Sequence, residues 1–257
     1  MTDGPLLVER QDAVAVVTLH RPDRRNALNA ALHDALVDTV TTLDEDVSIR
    51  AIVLTGTDPA FCAGLDLTAL AAGERIGTFH PEQRGPFGRR TTPLIGAING
   101  PAVTGGLEVA LACDLLVASD HASFADTHGR VGLLPGWGLS VLLPRVVGPG
   151  RARYMSLTGN YVNAATAAQW GLVNEVVPHD ELMDRALAIG NDIAGTDHEV
   201  AAALLDLYER TTSGSVDEAW AAEGEAFRAW WKTRMQPDAI ATGKDEILER
   251  GRRQTPG

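Results

Sequence analysis

The spacing of apolar residues predicts strands at the start of the chain and then an amphipathic helix. Valine-rich runs at residues 6–10 and 13–19, separated by a polar pair, are typical of two short strands. Beyond a polar, proline-containing loop, four apolar residues recur at helical intervals: Leu32, Leu36, Val40 and Leu43. Asn29 stands where an N-cap is needed, so a helix is predicted to begin immediately after it.

In the middle of the chain, short apolar runs alternate with helical patterns. The runs at residues 50–55, 94–98 and 115–118 predict strands, and the segments 66–71 and 104–112 predict helices. This alternation indicates βαβ units and a largely parallel sheet. Residues 72–90 contain glycine, proline and charge without any period, which predicts a mobile loop.

After Gly136 the pattern becomes mainly helical. Helices are predicted at residues 137–147, 150–157, 164–170, 180–194, 199–211, 216–232 and 237–252, with one strand at residues 172–177. The chain is therefore interpreted as an α/β core over residues 1–195, followed by a C-terminal helical region over residues 196–257. Its length is sufficient for one large core.

Charge and targeting signals narrow the choice of partners. The chain has 22 Lys and Arg against 34 Asp and Glu, and the net charge of −12 argues against a nucleic acid or an anionic membrane as partner. No apolar run is long enough to span a membrane, and the N-terminus lacks the basic-then-apolar order of a secretory signal. We therefore expect a cytoplasmic protein.

Cysteine and histidine usage predicts neither a disulfide framework nor a metal site. Cys62 and Cys113 are the two cysteines, and the histidines are scattered without ligand spacing. Both thiols are expected to be reduced and packed in the interior. A reactive Cys62 is the alternative, because that residue adjoins one of two glycine junctions.

The two glycine junctions are residues 60–66 and 100–108, where an apolar run gives way to a helical pattern. Such junctions leave backbone N–H groups free to point at a ligand. Two of them together could hold one developing negative charge, as an oxyanion hole does. Glu108 follows Gly105 by three residues, so on a helix that opens near Thr104 the carboxylate and that N–H share a face. A base and two donors suit chemistry beside an activated carbonyl.

Five segments together resemble the crotonase (enoyl-CoA hydratase/isomerase) superfamily in their order and spacing. They are residues 21–29, 61–67, 93–102, 105–108 with 112–114, and 134–138. The resemblance implies an α/β fold in which ββα turns coil into a superhelix, with a helical C-terminal trimerisation region. It also implies an acyl-CoA thioester substrate, no cofactor other than coenzyme A as part of that substrate, and a homotrimer or homohexamer.

Site residues follow from the matching positions. The resemblance assigns the oxyanion N–H groups to Leu65 and Gly105, and the first of two catalytic glutamates to Glu108. The positions that match the coenzyme A cradle are Ala27, Leu28, Ala63, Asp66 and Leu67. Trp137 stands beside the acyl pocket, where the hydratases usually have a small residue, and is expected either to narrow that pocket or to belong to the core.

Basic residues are the candidates for the anionic part of coenzyme A. One cluster contains Arg21, Arg24 and Arg25, and a second contains Arg84, Arg89 and Arg90. Either cluster is equally well explained as solvated surface. Arg24 is retained as the candidate coenzyme A contact.

The main departure from the family pattern is His128, which occupies the position of the second catalytic carboxylate. Imidazole can act as acid or base near neutrality, so His128 is a candidate catalytic partner of Glu108. Asp126, two residues earlier, is a weaker candidate for the same role.

The leading hypothesis is a hydro-lyase that adds water across the 2,3 double bond of an enoyl-CoA. The alternatives are a double-bond isomerase that uses Glu108 alone and a catalytically silent acyl-CoA binding protein. The family's RNA-binding branch is opposed by the acidic charge.

Overall fold

A computed structural model describes residues 4–77, 84–234, 244 and 247–253. The chain forms two compact units, Met1–Ala203 and Leu204–Gly257. The predicted division after residue 195 falls a few residues before this boundary and stays a prediction. Among the described residues, no helix is both long and apolar enough to cross a membrane.

The described elements alternate between strand and helix up to β9 and are helical afterwards. The strands are β1 Leu6–Gln11, β2 Val14–Leu19, β3 Ala51–Gly56, β4 Leu94–Ile98, β5 Pro101–Val103, β6 Leu115–Ser119, β7 Ser123–Ala125, β8 Val162–Asn163 and β9 Glu175–Val177. The α-helices are α1 Ala30–Glu45, α2 Leu67–Ala71, α3 Gly105–Leu111, α4 Leu139–Val147, α5 Pro149–Thr158, α6 Ala164–Trp170, α7 Leu182–Ala194, α8 His198–Thr212 and α9 Val216–Arg234.

The main sheet has six strands in the order β1-β2-β3-β4-β6-β9. Only the β1–β2 pair is antiparallel, and the other pairs are parallel, as the βαβ alternation predicted. The central strands β3 and β4 are buried throughout, which is typical of a parallel sheet covered on both faces. Helix α7 packs on one face, where Gly190 lets it approach Val14 closely.

A second, smaller sheet of β5, β7 and β8 was missed by the sequence analysis. It is important for the site because β5 and β7 pair in parallel, with Val103 opposite Ala125. Helix α3 follows β5, and the segment from Asp126 to His128 follows β7. Both segments therefore leave the same edge of the small sheet.

Most of the other predicted elements are confirmed, with shifted ends. Asn29 caps α1 by accepting a hydrogen bond from the Leu32 N–H at 3.1 Å. The helix predicted to begin at residue 137 begins at Leu139, because Gly138 is its left-handed N-cap. The strand predicted from residue 172 begins only at Glu175.

Two predictions fall partly outside the described residues. Within the predicted loop at residues 72–90, the described residues contain no helix or strand, and residues 78–83 lie outside the description. Most of the first half of the helix predicted at residues 237–252 also lies outside it, while residues 247–253 are helical.

Candidate active site

The first glycine junction is held in place by backbone hydrogen bonds to the segment before α1. The Leu28 N–H donates to the Gly64 carbonyl at 2.7 Å, and the Asp66 N–H donates to the Leu28 carbonyl at 2.8 Å. Successive N–H groups of an extended segment point in opposite directions, so the N–H of Leu65 points away from Leu28. Gly64 makes this turn with a φ of +94°, a conformation that suits glycine.

The second junction packs directly against the first. The Val103 N–H donates to the Cys62 carbonyl at 2.9 Å, and a Cβ on Gly106 would lie only 2.1 Å from that same oxygen. A Cβ on Gly105 would lie 3.5 Å from the side chain of Leu65. Within the described part of the chain, neither the Leu65 N–H nor the Gly105 N–H donates a hydrogen bond. The two predicted oxyanion residues are therefore neighbours with unused donors.

The Glu108 carboxylate is buried and firmly held. Its Oε1 accepts hydrogen bonds from the backbone N–H groups of Trp137 at 2.7 Å and Leu139 at 3.3 Å. Only 3% of the residue is exposed. Burial raises the pKa of the Glu108 carboxyl despite these hydrogen bonds and the nearby His128. A raised pKa moves the Glu108 carboxyl toward the range that a proton-transfer group needs.

His128 faces Glu108 on one side and Asp126 on the other. Its Nε2 lies 3.6 Å from Glu108 Oε2, and its Nδ1 lies 2.7 Å from Asp126 Oδ1. All three side chains are buried, and His128 is 4% exposed. Glu108 and His128 were predicted to share a site, and the structure places them side by side. Glu108 Oε2 and His128 Nε2 face each other at a distance longer than a hydrogen bond.

A cavity of about 1310 Å³ opens onto this pair. Leu65, Glu108, His128 and Trp137 all line it, together with His33 and other residues from α1, the segment after α2 and residues 133–136. Trp137 is 3% exposed and packs in the core, and it also lines the cavity. Its predicted narrowing of an acyl pocket stays a prediction. Asp126 is not among the lining residues, because its carboxylate is turned to the far side of His128.

Comparison with known proteins settles the family. The family model described as enoyl-CoA hydratase/isomerase matches residues 9–253. The chain belongs to the enoyl-CoA hydratase/isomerase family. It is 35% identical over 244 residues to a protein of Mycobacterium bovis named a probable enoyl-CoA hydratase, covering 94% of this chain and 95% of the relative.

Two further comparisons agree with this assignment. A short-chain-enoyl-CoA hydratase of Clostridium acetobutylicum is 32% identical, covering 91% of this chain and 92% of that protein. The crystal structure of an enoyl-CoA hydratase from Mycobacterium smegmatis superimposes with a TM-score of 0.76 at 45% identity, covering 90% of this chain and all of that one. The predicted crotonase-like α/β fold is therefore confirmed.

The segment that matches the family's coenzyme A cradle is divided between surface and interior. Arg24 and Leu67 are exposed, and Ala63 is half-buried. Ala27 is buried, and the Leu28 side chain lies fully in the core. Since both backbone polar groups of Leu28 are bonded to the first junction, the structure places Leu28 as a support of that junction.

Asp66 and Arg21 are engaged with each other. Arg21 donates to Asp66 Oδ2 at 3.1 Å and to the Ala27 carbonyl, while Asp66 caps α2 through the Thr68 and Ala69 N–H groups. Although burial opposes it, these contacts hold the pKa of the Asp66 carboxyl below its usual range. The Arg21 guanidinium therefore links Ala27 to Asp66, and its donors are engaged within the protein.

Arg90 and the cysteines have structural environments. Arg90 pairs with Asp114 at 3.0 Å and donates to two backbone carbonyls, so it links separate segments of the chain.

Burial raises the pKa of both the Cys62 and the Cys113 thiol to about 12. The structure disfavours the alternative of a reactive Cys62, because the residue is fully buried in the core and burial raises the pKa of its thiol. No group of three or more His, Cys, Asp or Glu in the described ranges could hold a metal ion.

Sequence reasoning missed two features of this family member's site. His33, on α1, reaches the cavity and contacts Trp137, and its place in a helical apolar repeat gave no sign of this. The Trp137 and Leu139 N–H groups that hold Glu108 were also missed. The glycines around Trp137 were a usable signal, because a segment this rich in glycine can turn its backbone donors inward.

Proposed function

We propose that this protein is an enoyl-CoA hydratase-like hydro-lyase that adds water across the 2,3 double bond of an enoyl-CoA thioester. The observation that carries the proposal is the 3.6 Å separation of Glu108 Oε2 and His128 Nε2 in a cavity that Leu65 also lines, with Gly105 packed against Leu65. The names of the relatives support the same reaction.

In the proposed reaction, the Leu65 and Gly105 N–H groups bind the thioester oxygen. Glu108 takes a proton from water while the water oxygen bonds to C3. The electron pair of the double bond then moves onto the thioester oxygen as an enolate, which the two N–H groups stabilise. His128 gives the proton on Nε2 to C2, which restores the thioester carbonyl. Transfer of the proton from Glu108 to His128 completes the cycle, so one water is consumed and the enzyme is unchanged.

Binding of the coenzyme A portion is assigned to the cradle next to the first junction. We place Arg24, Ala27, Ala63, Asp66 and Leu67 along it, with Leu28 as its support. The exposed Arg24 supplies positive charge on a strongly acidic chain. Since hydration is redox-neutral and needs only proton transfers and enolate stabilisation, coenzyme A enters as part of the substrate and no separate cofactor takes part.

One observation favours the isomerase alternative. Glu108 is the only carboxylate of the three-residue Glu108–His128–Asp126 chain that lines the cavity. A double-bond isomerase needs one base that removes a proton and returns it at another carbon, and Glu108 could do this alone.

Product identification separates these functions. The purified protein is incubated with 2-enoyl-CoA and 3-enoyl-CoA esters of several chain lengths, and the products are identified by mass spectrometry and NMR. We expect a 3-hydroxyacyl-CoA from the 2-enoyl esters. A shifted double bond without added water would support the isomerase, and tight binding without turnover would support a silent acyl-CoA binding protein. Both outcomes contradict the hydratase proposal.

We also propose a homotrimer or homohexamer. Within the first unit, large apolar side chains are exposed after His128, including Leu134 at 89% and Leu157 at 82%. Within the second unit, α9 separately exposes Trp220, Phe227 and Trp231. Exposed apolar side chains of this kind are typical of surfaces that become buried between subunits. Light scattering on the purified protein tests this, because a monomer at working concentration would contradict it. The cytoplasmic location expected from the sequence stays a prediction.

A further inference from the structure

Asp126 is a buried charge that the reaction described above does not use. The residue is 1% exposed and lies outside the cavity. Its Oδ1 accepts two hydrogen bonds from the same residue, one from the His128 backbone N–H at 3.1 Å and one at the His128 ring Nδ1 at 2.7 Å. A buried carboxylate is costly unless it is paired, so this geometry calls for a reason.

The two contacts determine which ring nitrogen carries the proton. Although burial opposes it, hydrogen bonds from His128 and Ser156 hold the pKa of the Asp126 carboxyl below its usual range. An ionised carboxylate only accepts hydrogen bonds, so Nδ1 must be the donor. The other nitrogen, Nε2, then faces Glu108 Oε2 at 3.6 Å.

The charges around the imidazole are few and known. Glu108 approaches it from α3 and Asp126 from its own segment, and Ser156 of α5 contacts Asp126 without charge. Among the described residues, no Lys or Arg forms an ion pair with any of the three. With Asp126 and Glu108 ionised and His128 protonated, the group has a net charge of −1. The family pattern of two catalytic glutamates that share one proton has the same net charge of −1.

We infer that Asp126 is a positioning residue that fixes the Nδ1–H tautomer of His128 and supplies the counter-charge that lets Nε2 hold the proton delivered to C2. This inference rests on the proposed hydratase function and deepens it. Asp126 does not line the cavity, so it acts only through His128. It allows a histidine to replace the second carboxylate without changing the charge of the site.

Two substitutions separate the tautomer from the charge. Asp126→Asn keeps an oxygen where both N–H groups of His128 donate, but it removes the charge. We expect the alkaline limb of its pH–kcat profile to move down by roughly one pH unit, because loss of the nearby anion disfavours the imidazolium. Asp126→Ala removes the acceptor as well, and kcat should fall about 10- to 100-fold, with KM nearly unchanged. In a His128→Ala background neither change should lower the rate further.

Asp58→Asn is the matched control, since Asp58 also pairs with a histidine, His179, at 3.2 Å but lies outside the cavity. Its pH profile should be that of the wild type. Unchanged profiles in both Asp126 variants would overturn the inference.

A readout that does not depend on activity separates failure of this inference from failure of the proposed function. Two-bond 1H–15N NMR correlation of 15N-histidine protein reports the tautomer of each of the seven histidines, and the His128→Ala spectrum assigns the signal. We expect the proton on Nδ1 in the wild type and in Asp126→Asn, and a mixture of tautomers in Asp126→Ala. A wild-type His128 with a bare Nδ1 overturns the inference even if hydration is found. The opposite outcome is a protein whose His128 carries the proton on Nδ1 but which hydrates no enoyl-CoA. That outcome refutes the proposed function and, with it, the delivery of a proton by His128.

Discussion

The imidazole of His33 stacks on the indole of Trp137, with ring centroids 5.1 Å apart and planes inclined by 24°. The same indole lies 3.5 Å from the position that a Cβ on Gly105 would take. The stacked pair therefore forms a wall of the cavity directly beside one proposed oxyanion donor. We predict that a wall in this place limits the acyl group that can extend past the thioester.

Removing the indole should relax acyl-chain selection. In Trp137→Ala the backbone N–H that holds Glu108 is retained, so chemistry on a short substrate should persist. We expect the ratio of kcat/KM for long-chain to short-chain 2-enoyl-CoA to rise by about tenfold or more. This is the discrimination that one or two methylenes provide in a hydrophobic pocket. Trp170→Ala is the control, because Trp170 lies on α6 outside the cavity. An unchanged ratio in Trp137→Ala would show that the wall does not select the substrate.

Gly64 should be needed for the position of the Leu65 N–H. Gly64→Ala places a Cβ 2.8 Å from the Val103 carbonyl in a left-handed conformation, so the junction must shift. Gly73→Ala is matched to it, with a similar φ of +85° but no atom within 4 Å of the added Cβ. Both variants should lose roughly 1 kcal/mol of folding free energy to the backbone conformation, but only Gly64→Ala should lose kcat, by about 100-fold. Equal kcat in both variants would remove Leu65 from the oxyanion hole.

Glu108 should cost stability at neutral pH. Its folded-state pKa is raised by burial, so the folded protein binds its proton more tightly than the unfolded chain does. Stability from this group is therefore fully present below the unfolded pKa and is lost as pH rises through the folded pKa. Glu108→Gln should raise the free energy of unfolding at pH 7 by about 1 kcal/mol, and the gain should vanish near pH 4. Denaturant titrations at the two pH values check this, and destabilisation at pH 7 would contradict it.

His128 decides between hydration and isomerisation. His128→Ala should lower the hydration rate about 100-fold or more, because the proton donor to C2 is lost. An isomerase that works through Glu108 alone would retain its rate in this variant. His128→Glu creates a second carboxylate next to Asp126, so hydration should recover only when Asp126→Asn removes the repulsion. Steady-state kinetics with 2-enoyl-CoA and 3-enoyl-CoA on the three variants distinguish these cases.

Long periodic segments and the glycine junctions were predictable from the sequence. The repeat from Leu32 to Leu43 is buried on α1, and Asn29 caps that helix. The order of the family motifs predicted a shared site for Leu65, Gly105, Glu108 and His128. Leu65, Glu108 and His128 line one cavity, and Gly105 lies beside the Leu65 side chain. These predictions succeeded because each depends on local periodicity or on a motif of several residues.

The small sheet and the surroundings of His128 were not predictable in this way. Strands β7 and β8 have three and two residues, too few for an alternation to be recognised, and are stabilised by pairing with distant segments. Asp126 was predicted as a substitute proton carrier, but its side chain turns toward the ring of His128. The direction of a side chain on an irregular segment depends on tertiary packing. The stacking of His33 on Trp137 joins residues far apart in sequence for the same reason.

The most direct test of the account is the turnover of Glu108→Gln with a 2-enoyl-CoA. Glutamine keeps the volume and an oxygen for the Trp137 and Leu139 N–H groups but cannot accept the proton of water. We predict that kcat for formation of the 3-hydroxyacyl-CoA falls about 100-fold or more, while the Kd for a saturated acyl-CoA, measured by calorimetry, stays within about twofold of the wild type. Glu175→Gln, outside the cavity, should behave as the wild type. Wild-type turnover by Glu108→Gln would contradict the assignment of Glu108 as the base.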